Sequence, residues 1–308
     1  MKGIESLPMK SLLFLCLALC SVVFVVVWAR QAYRSRKLGW PSLRDCGIGL
    51  LTLFLDTLGI GAFATTTAFF KLWNLVPDEQ IPGTLNIGIT LPAVTEGFIY
   101  MSIVGVDIKT LALQIVAATA GAWFGAGIVS RWPRRKIQIG LGATLLVTGG
   151  FMLATILHIL PSGGDLLGLA GWKLVMATAA DLLLGAMMTL GIGFFAPCMM
   201  VVYLLGMSPE AAFPIMMGSV AFLGTVGSIR FIQQERYRWK SAIGMTIGGI
   251  PGVLLAAYLV RSLPLGPLRW LVLVVIVYTA VMMLRSAYRE RARARGGAAL
   301  DERVNAEA

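Results

Sequence analysis

The chain has 308 residues, of which 57% are hydrophobic and only 13% charged, against about 25% charged in an ordinary soluble domain. A globular core of this length cannot hide so much apolar surface, so lipid must cover the excess and a soluble fold is excluded. The net charge of +11 sits in clusters at the ends of apolar runs with no basic groove visible, which argues against nucleic acid as a partner and for the orienting charges of a membrane protein.

The first apolar run covers residues 11–29, with Lys2 and Lys10 before it and Arg30, Arg34, Arg36, Lys37 and Arg44 after it. No small-x-small cleavage site follows, and Leu19 before Cys20 makes a poor lipobox, so an uncleaved anchor helix with a basic linker is expected over 1–44. Later apolar segments fall at 45–72, 84–104, 110–130, 137–160, 172–206, 212–231, 241–262 and 267–285. Further basic clusters stand at Arg131, Arg134, Arg135 and Lys136, at Arg230, Arg236, Arg238 and Lys240, and in the tail from Arg285. Cys16, Cys20, Cys46 and Cys198 form no CxxC pair and have no histidine nearby, so neither a disulfide framework nor a metal site is indicated. No cofactor-binding motif is present either.

Thr57-Leu58-Gly59-Ile60-Gly61 recurs as Thr189-Leu190-Gly191-Ile192-Gly193, and at the same offset Ala64, Leu72, Pro77 and Pro82 match Ala196, Leu204, Pro209 and Pro214. An internal duplication follows, with a first repeat over 45–160, a second over 161–286 and a cytoplasmic tail over 287–308. In each half the first apolar segment is long and interrupted: Gly and β-branched Thr weaken helix, and Pro197 removes a backbone donor. Each reads as two half-helices joined by a non-helical turn. If both segments enter and return on one side, all the basic clusters face the cytoplasm; if both cross with a kink, they do not. The positive-inside rule favours the first arrangement, although a kinked crossing stays open. The expected fold is therefore an all-α polytopic membrane protein of two inverted repeats. Each repeat is a broken, re-entrant Gly-rich helix plus three transmembrane helices, and an extra N-terminal helix precedes them. Such repeats place a solute site where the discontinuous helices meet.

Irregular backbone at membrane depth is tolerated where protein buries it or it lines a wet cavity, and half-helix N-termini suit anions. The candidate substrate-binding residues are Gly59, Gly61, Thr65 and Thr66 in one half and Gly191, Gly193 and Cys198 in the other, with Ala64 and Ala196 as further backbone donors. Thr84 and Asn86, and Ser219 at the corresponding place, are candidates from the next span. The alternative for the glycines is close helix packing, and for Thr84 and Asn86 plain helix-end hydrogen bonding. Acidic residues inside apolar segments default to functional hypotheses. Asp56 and Glu96 are candidates for proton coupling and Asp181 is a further buried acid, with ion pairing to Lys71, Lys173 or Arg230 as the competing explanation.

The duplicated Gly-rich break followed by a Pro-Gly-Thr helix start resembles the sulfite exporter TauE/SafE family over residues 45–285. Members typically show three glycines after the first break and a later Gly-Thr-Ser. Here Gly59-Ile60-Gly61-Ala62, Gly83-Thr84-Leu85-Asn86 and Gly191-Ile192-Gly193-Phe194 stand in those places. The resemblance implies a permease for sulfite, organosulfonates or related small anions, and the charge pattern places it in the inner membrane with the C-terminus in the cytoplasm. The expected partners are a small anionic solute and membrane lipid, with a homo-oligomer possible. No HExxH, GxSxG or Walker A motif is present, so an enzyme is not expected. A passive anion channel, or a non-transport intramembrane enzyme or scaffold, is the alternative.

Overall fold

The structure is a computed structural model that describes residues 2–35, 39–58, 60–103, 105–159, 164–191, 193–259 and scattered positions between 273 and 288. The expected last span, 267–285, lies largely outside the described residues, and the tail is outside them except for Tyr288. The described chain is helical: α1 (Lys2–Arg34), α2 (Leu43–Thr57), α3 (Ala62–Leu72), α4 (Ile81–Ile103), α5 (Ile108–Val129), α6 (Arg134–Ile156), α7 (Gly171–Met188), α8 (Phe195–Leu204), α9 (Pro209–Gln233) and α10 (Trp239–Leu259). Among the described residues, five segments are long and apolar enough to cross a membrane: Met9–Arg34, Ile108–Val129, Gly171–Met188, Ala211–Gln233 and Trp239–Tyr258. α4 and α6, of 23 residues each, reach about 34 Å at 1.5 Å per residue, enough to span a hydrocarbon core of about 30 Å.

The two Gly-rich segments are each broken. α2 ends at Thr57 and α3 begins at Ala62; α7 ends at Met188 and α8 begins at Phe195. Glycine is required at both turns by backbone conformation, with φ of +91° at Gly61 and +96° at Gly191, values that a side chain disfavours.

α2 packs along α10, α4 along α9, and α5 between α7 and α9, while α10 also touches α4. The pattern exchanges halves: α5 stands to α7 and α9 as α10 stands to α2 and α4. Small residues make the close approaches. A Cβ at Gly121 would run into the Leu182 carbonyl, one at Gly185 into that of Ala118, one at Gly248 into that of Cys46 and one at Gly252 into that of Leu50. With lipid as apolar as the side chains, such backbone proximity is what holds membrane helices together.

Helix directions follow from which ends touch. The Arg238 N–H, just before α10, donates to Thr84 Oγ1 near the start of α4 (2.9 Å). Asp45 near the start of α2 abuts Gly244 of α10, and Gln31 and Ser35 at the end of α1 reach Glu235. α2, α4 and α10 therefore start at one end of the bundle, which also carries Arg34, Arg44, Arg236, Arg238 and Lys240. At the opposite end the Asp107 N–H donates to the Leu167 carbonyl. Lys173 Nζ there donates to the Leu205 carbonyl (3.0 Å), and the Ser208 N–H to the Leu166 carbonyl. α5, α7 and α9 start there. α1 is more than a tether: Leu17, Phe24, Trp28 and Ala32 are buried, and the helix lies against α9, α4 and α5.

Candidate functional site

The two breaks meet inside the bundle. A narrow space with room of only about 10 Å³ for a water-sized sphere lies between them, lined by Asp56, Gly61, Ala62 and Phe63 from the first break and Met188, Gly193, Phe194 and Phe195 from the second, with Val220 of α9 closing it. The space is tight, and little of it is wide enough for water. A Cβ added at Gly61 or Gly193 would meet nothing within 4 Å. These two glycines border open space, unlike Gly121, Gly185, Gly248 and Gly252, which exist for helix packing.

Asp56, 3% exposed, stands in the last turn of α2 and turns across the break, so that its Oδ1 accepts from the Ala62 N–H (2.5 Å). The first turn of a helix leaves its N–H groups without intrahelical partners, and a carboxylate at that position is favoured by the partial positive charge there. Gly61 supplies no side-chain cap; Asp56 meets the buried amide instead.

Glu96, fully buried in α4, lies close enough to Asp56 for their charges to interact. The Thr57 hydroxyl donates toward Glu96 Oε1 (2.7 Å) and the Leu53 carbonyl (2.9 Å), two acceptors sharing one proton. Tyr100 Oη donates to the Thr57 carbonyl (3.2 Å), while Glu96 Oε2 has no hydrogen-bond partner. None of the cations that ion pairing would require reaches these acids. Lys71 Nζ pairs with Asp78 (2.6 Å), Lys173 holds the Leu205 carbonyl, and Arg230 stacks 3.8 Å from the centre of the Trp123 ring, a cation–π contact.

The other candidates are divided. Thr65 donates back to the Gly61 and Ala62 carbonyls at 3.0 Å each, and the buried Thr66 hydroxyl has no partner. Gly191 forms the second turn against Leu141. Cys198 is fully buried in α8 and faces Asp181 of α7, whose two oxygens make no geometrically formed hydrogen bond. Ser219, buried beside Val220, has an unpartnered hydroxyl. Thr84 and Asn86 are not brought to the breaks. Thr84 donates to the Gln80 carbonyl and accepts from Arg238, and Asn86 donates to the Pro82 carbonyl (2.8 Å), at the start of α4. Gly59 and Ile192 lie outside the described residues. Sequence reading missed the aromatic walls, although Phe63 and Phe195 stand at the same offset as the paired motifs. Among the described residues, no group of three or more His, Cys, Asp or Glu side chains is placed to hold a metal ion.

The family model described as sulfite exporter TauE/SafE matches residues 4–152 and 173–304. The chain belongs to the sulfite exporter TauE/SafE family. The match is wider than residues 45–285, taking in α1 and most of the tail. No curated protein and no solved structure matches the chain. As a TauE/SafE member it is a multi-pass membrane protein of a transporter family.

Proposed function

We propose that the protein is a secondary transporter of small anions, with sulfite, organosulfonates or related oxyanions as substrates, bound in the space between the two breaks. The observation that carries this reading is the Asp56–Ala62 contact at the cavity wall: the N-terminus of α3 already receives a carboxylate, the chemistry a sulfite or sulfonate oxygen would offer. Open space at Gly61 and Gly193 supports approach of a solute to the main chain.

In the proposed mechanism each break is re-entrant and the halves are inverted, a reading supported by α2 and α4 starting at one end of the bundle and α7 and α9 at the other. One half moves against the other around the fixed site. Asp56 acts as a resident anion. Protonating it weakens its hold on the Ala62 N–H and frees that donor for the solute, which couples anion movement to protons. Glu96, linked through Thr57, is the adjacent proton acceptor. The end bearing Arg34, Arg44, Arg236, Arg238 and Lys240 faces the cytoplasm of the inner (plasma) membrane, as the positive-inside rule supports, and the C-terminal tail shares that side. The protein carries out no covalent chemistry on its solute and needs no cofactor.

The test is uptake of radiolabelled sulfite and sulfoacetate into proteoliposomes, with and without a pH gradient. Saturable, gradient-sensitive flux is expected. Absence of flux of both anions in protein shown to be folded contradicts the assignment.

A further inference from the structure

A second and larger cleft lies at the basic end of the bundle, away from the breaks. It has about 320 Å³ of space and is lined by Gly39, Trp40 and Pro41 from the α1–α2 connection and Trp239, Ile243 and Ile247 from α10. That is within the range of small-molecule clefts, about 300–1,000 Å³. The walls are apolar and open outward: Trp40 is 89% exposed and Ile247 47% exposed.

Basic side chains outnumber acidic ones around it. The stem of Lys240 runs against Gly39, close enough that a Cβ there would meet Lys240 Cε at 2.8 Å, and Lys240 is itself exposed. Arg238, beside Trp239 in sequence, and Arg44, three residues beyond Pro41, are exposed as well. Two acids lie nearby, and each accepts hydrogen bonds from a neighbouring polar group, with Asp45 Oδ1 left without a partner. Glu235 accepts from Gln31 and Ser35, and Asp45 accepts from the backbone N–H and hydroxyl of Ser42 in the cap of α2. Tryptophans mark the headgroup level of a bilayer. An apolar furrow running from that level along one helix, with a cationic rim at its mouth, matches a molecule with an anionic head and a hydrocarbon tail.

We propose that this cleft binds an anionic phospholipid, its acyl chain along Ile243 and Ile247 and its phosphate at Lys240. Because α10 packs along α2, the bound lipid braces the helix that carries Asp56. The proposal does not depend on what is transported.

The experiment uses the full chain reconstituted in phosphatidylcholine vesicles containing brominated phosphatidylglycerol, or brominated phosphatidylcholine at the same fraction. Tryptophan quenching is the readout. Wild type is expected to prefer phosphatidylglycerol about fivefold, the effect of one basic residue at a membrane surface. Lys240→Gln is expected to bring the preference to near parity, and Trp40→Phe to remove much of the lipid-sensitive signal. Melting of each variant in detergent establishes that it is folded, and Arg238→Gln combined with Lys240→Gln gives a second charge-removal variant. Equal quenching by the two lipids in wild type overturns the proposal, as does a preference untouched by removing both charges. Quenching that falls with protein density whatever the lipid overturns it too, since a second copy of the chain would then cover the cleft.

Discussion

Replacing Asp56 separates its two proposed roles. Asp56→Ala removes the acceptor from the Ala62 N–H, which its Oδ1 meets at 2.5 Å in a place where the aspartate is 3% exposed. A buried donor left unpaired costs about 1–3 kcal/mol, and the lost charge at a helix N-terminus adds about 0.3–1 kcal/mol. Asp56→Ala is therefore expected to destabilise the protein by roughly 1–4 kcal/mol, the sum of those two ranges. Asp56→Asn keeps a carbonyl acceptor of the same shape and forfeits only the charge, so its loss is expected to stay near the lower end. Transport reverses the emphasis: Asp56→Asn is expected to carry anion with its dependence on a pH gradient abolished, since no proton can be taken up at that site. Denaturant or thermal melts in detergent give the first comparison, and proteoliposome flux with and without a gradient gives the second. The reasoning is refuted if Asp56→Ala is as stable as wild type, or if Asp56→Asn flux responds to the gradient as wild type does.

Other substitutions test the surroundings. Gly61→Ala meets no neighbour but holds φ at +91°, and should lower stability by about 1–3 kcal/mol in the same melts. Gly193→Ala, at a site where a Cβ meets nothing within 4 Å, should leave stability within about 1 kcal/mol of wild type. Gly121→Ala, which drives a methyl into the Leu182 carbonyl, should cost about 1–3 kcal/mol and loosen the α5–α7 contact; equal melting of these two variants would contradict the distinction drawn between open and packed glycines. Thr57→Val strands Glu96 Oε1 and should cost about 1–3 kcal/mol, with gradient sensitivity of flux altered as well.

The family and the all-helical membrane fold were readable in the residues because apolar length and the paired Thr-Leu-Gly-Ile-Gly motif are local signals. Depth and direction were harder. Thr84 and Asn86 follow the break closely in sequence, yet α4 begins at the end of the bundle, and a spacing along the chain does not report depth in the membrane. Glycines presented a similar ambiguity. Gly193 and Gly248 look alike in sequence, but one borders a cavity and the other admits a backbone carbonyl, a difference set by the partner helix. Asp56 could be seen as a buried acid beside a break. Its turn onto an amide six residues later depends on the left-handed conformation at Gly61, which no periodicity encodes. The facing of Asp181 and Cys198 likewise arises only when α8 folds back on α7.

The central claim, that the anion sits between the two breaks, is tested most directly by equilibrium binding of radiolabelled sulfite to purified wild type and Gly193→Leu, measured side by side. A leucine at position 193 fills space where a Cβ meets nothing within 4 Å; forcing a solute past it at a cost of about 1–3 kcal/mol corresponds to roughly a 5- to 150-fold loss of affinity. The account predicts saturable binding to wild type and a loss of at least that lower size in a variant that still melts as a folded protein. Equal binding by the two folded proteins would contradict it.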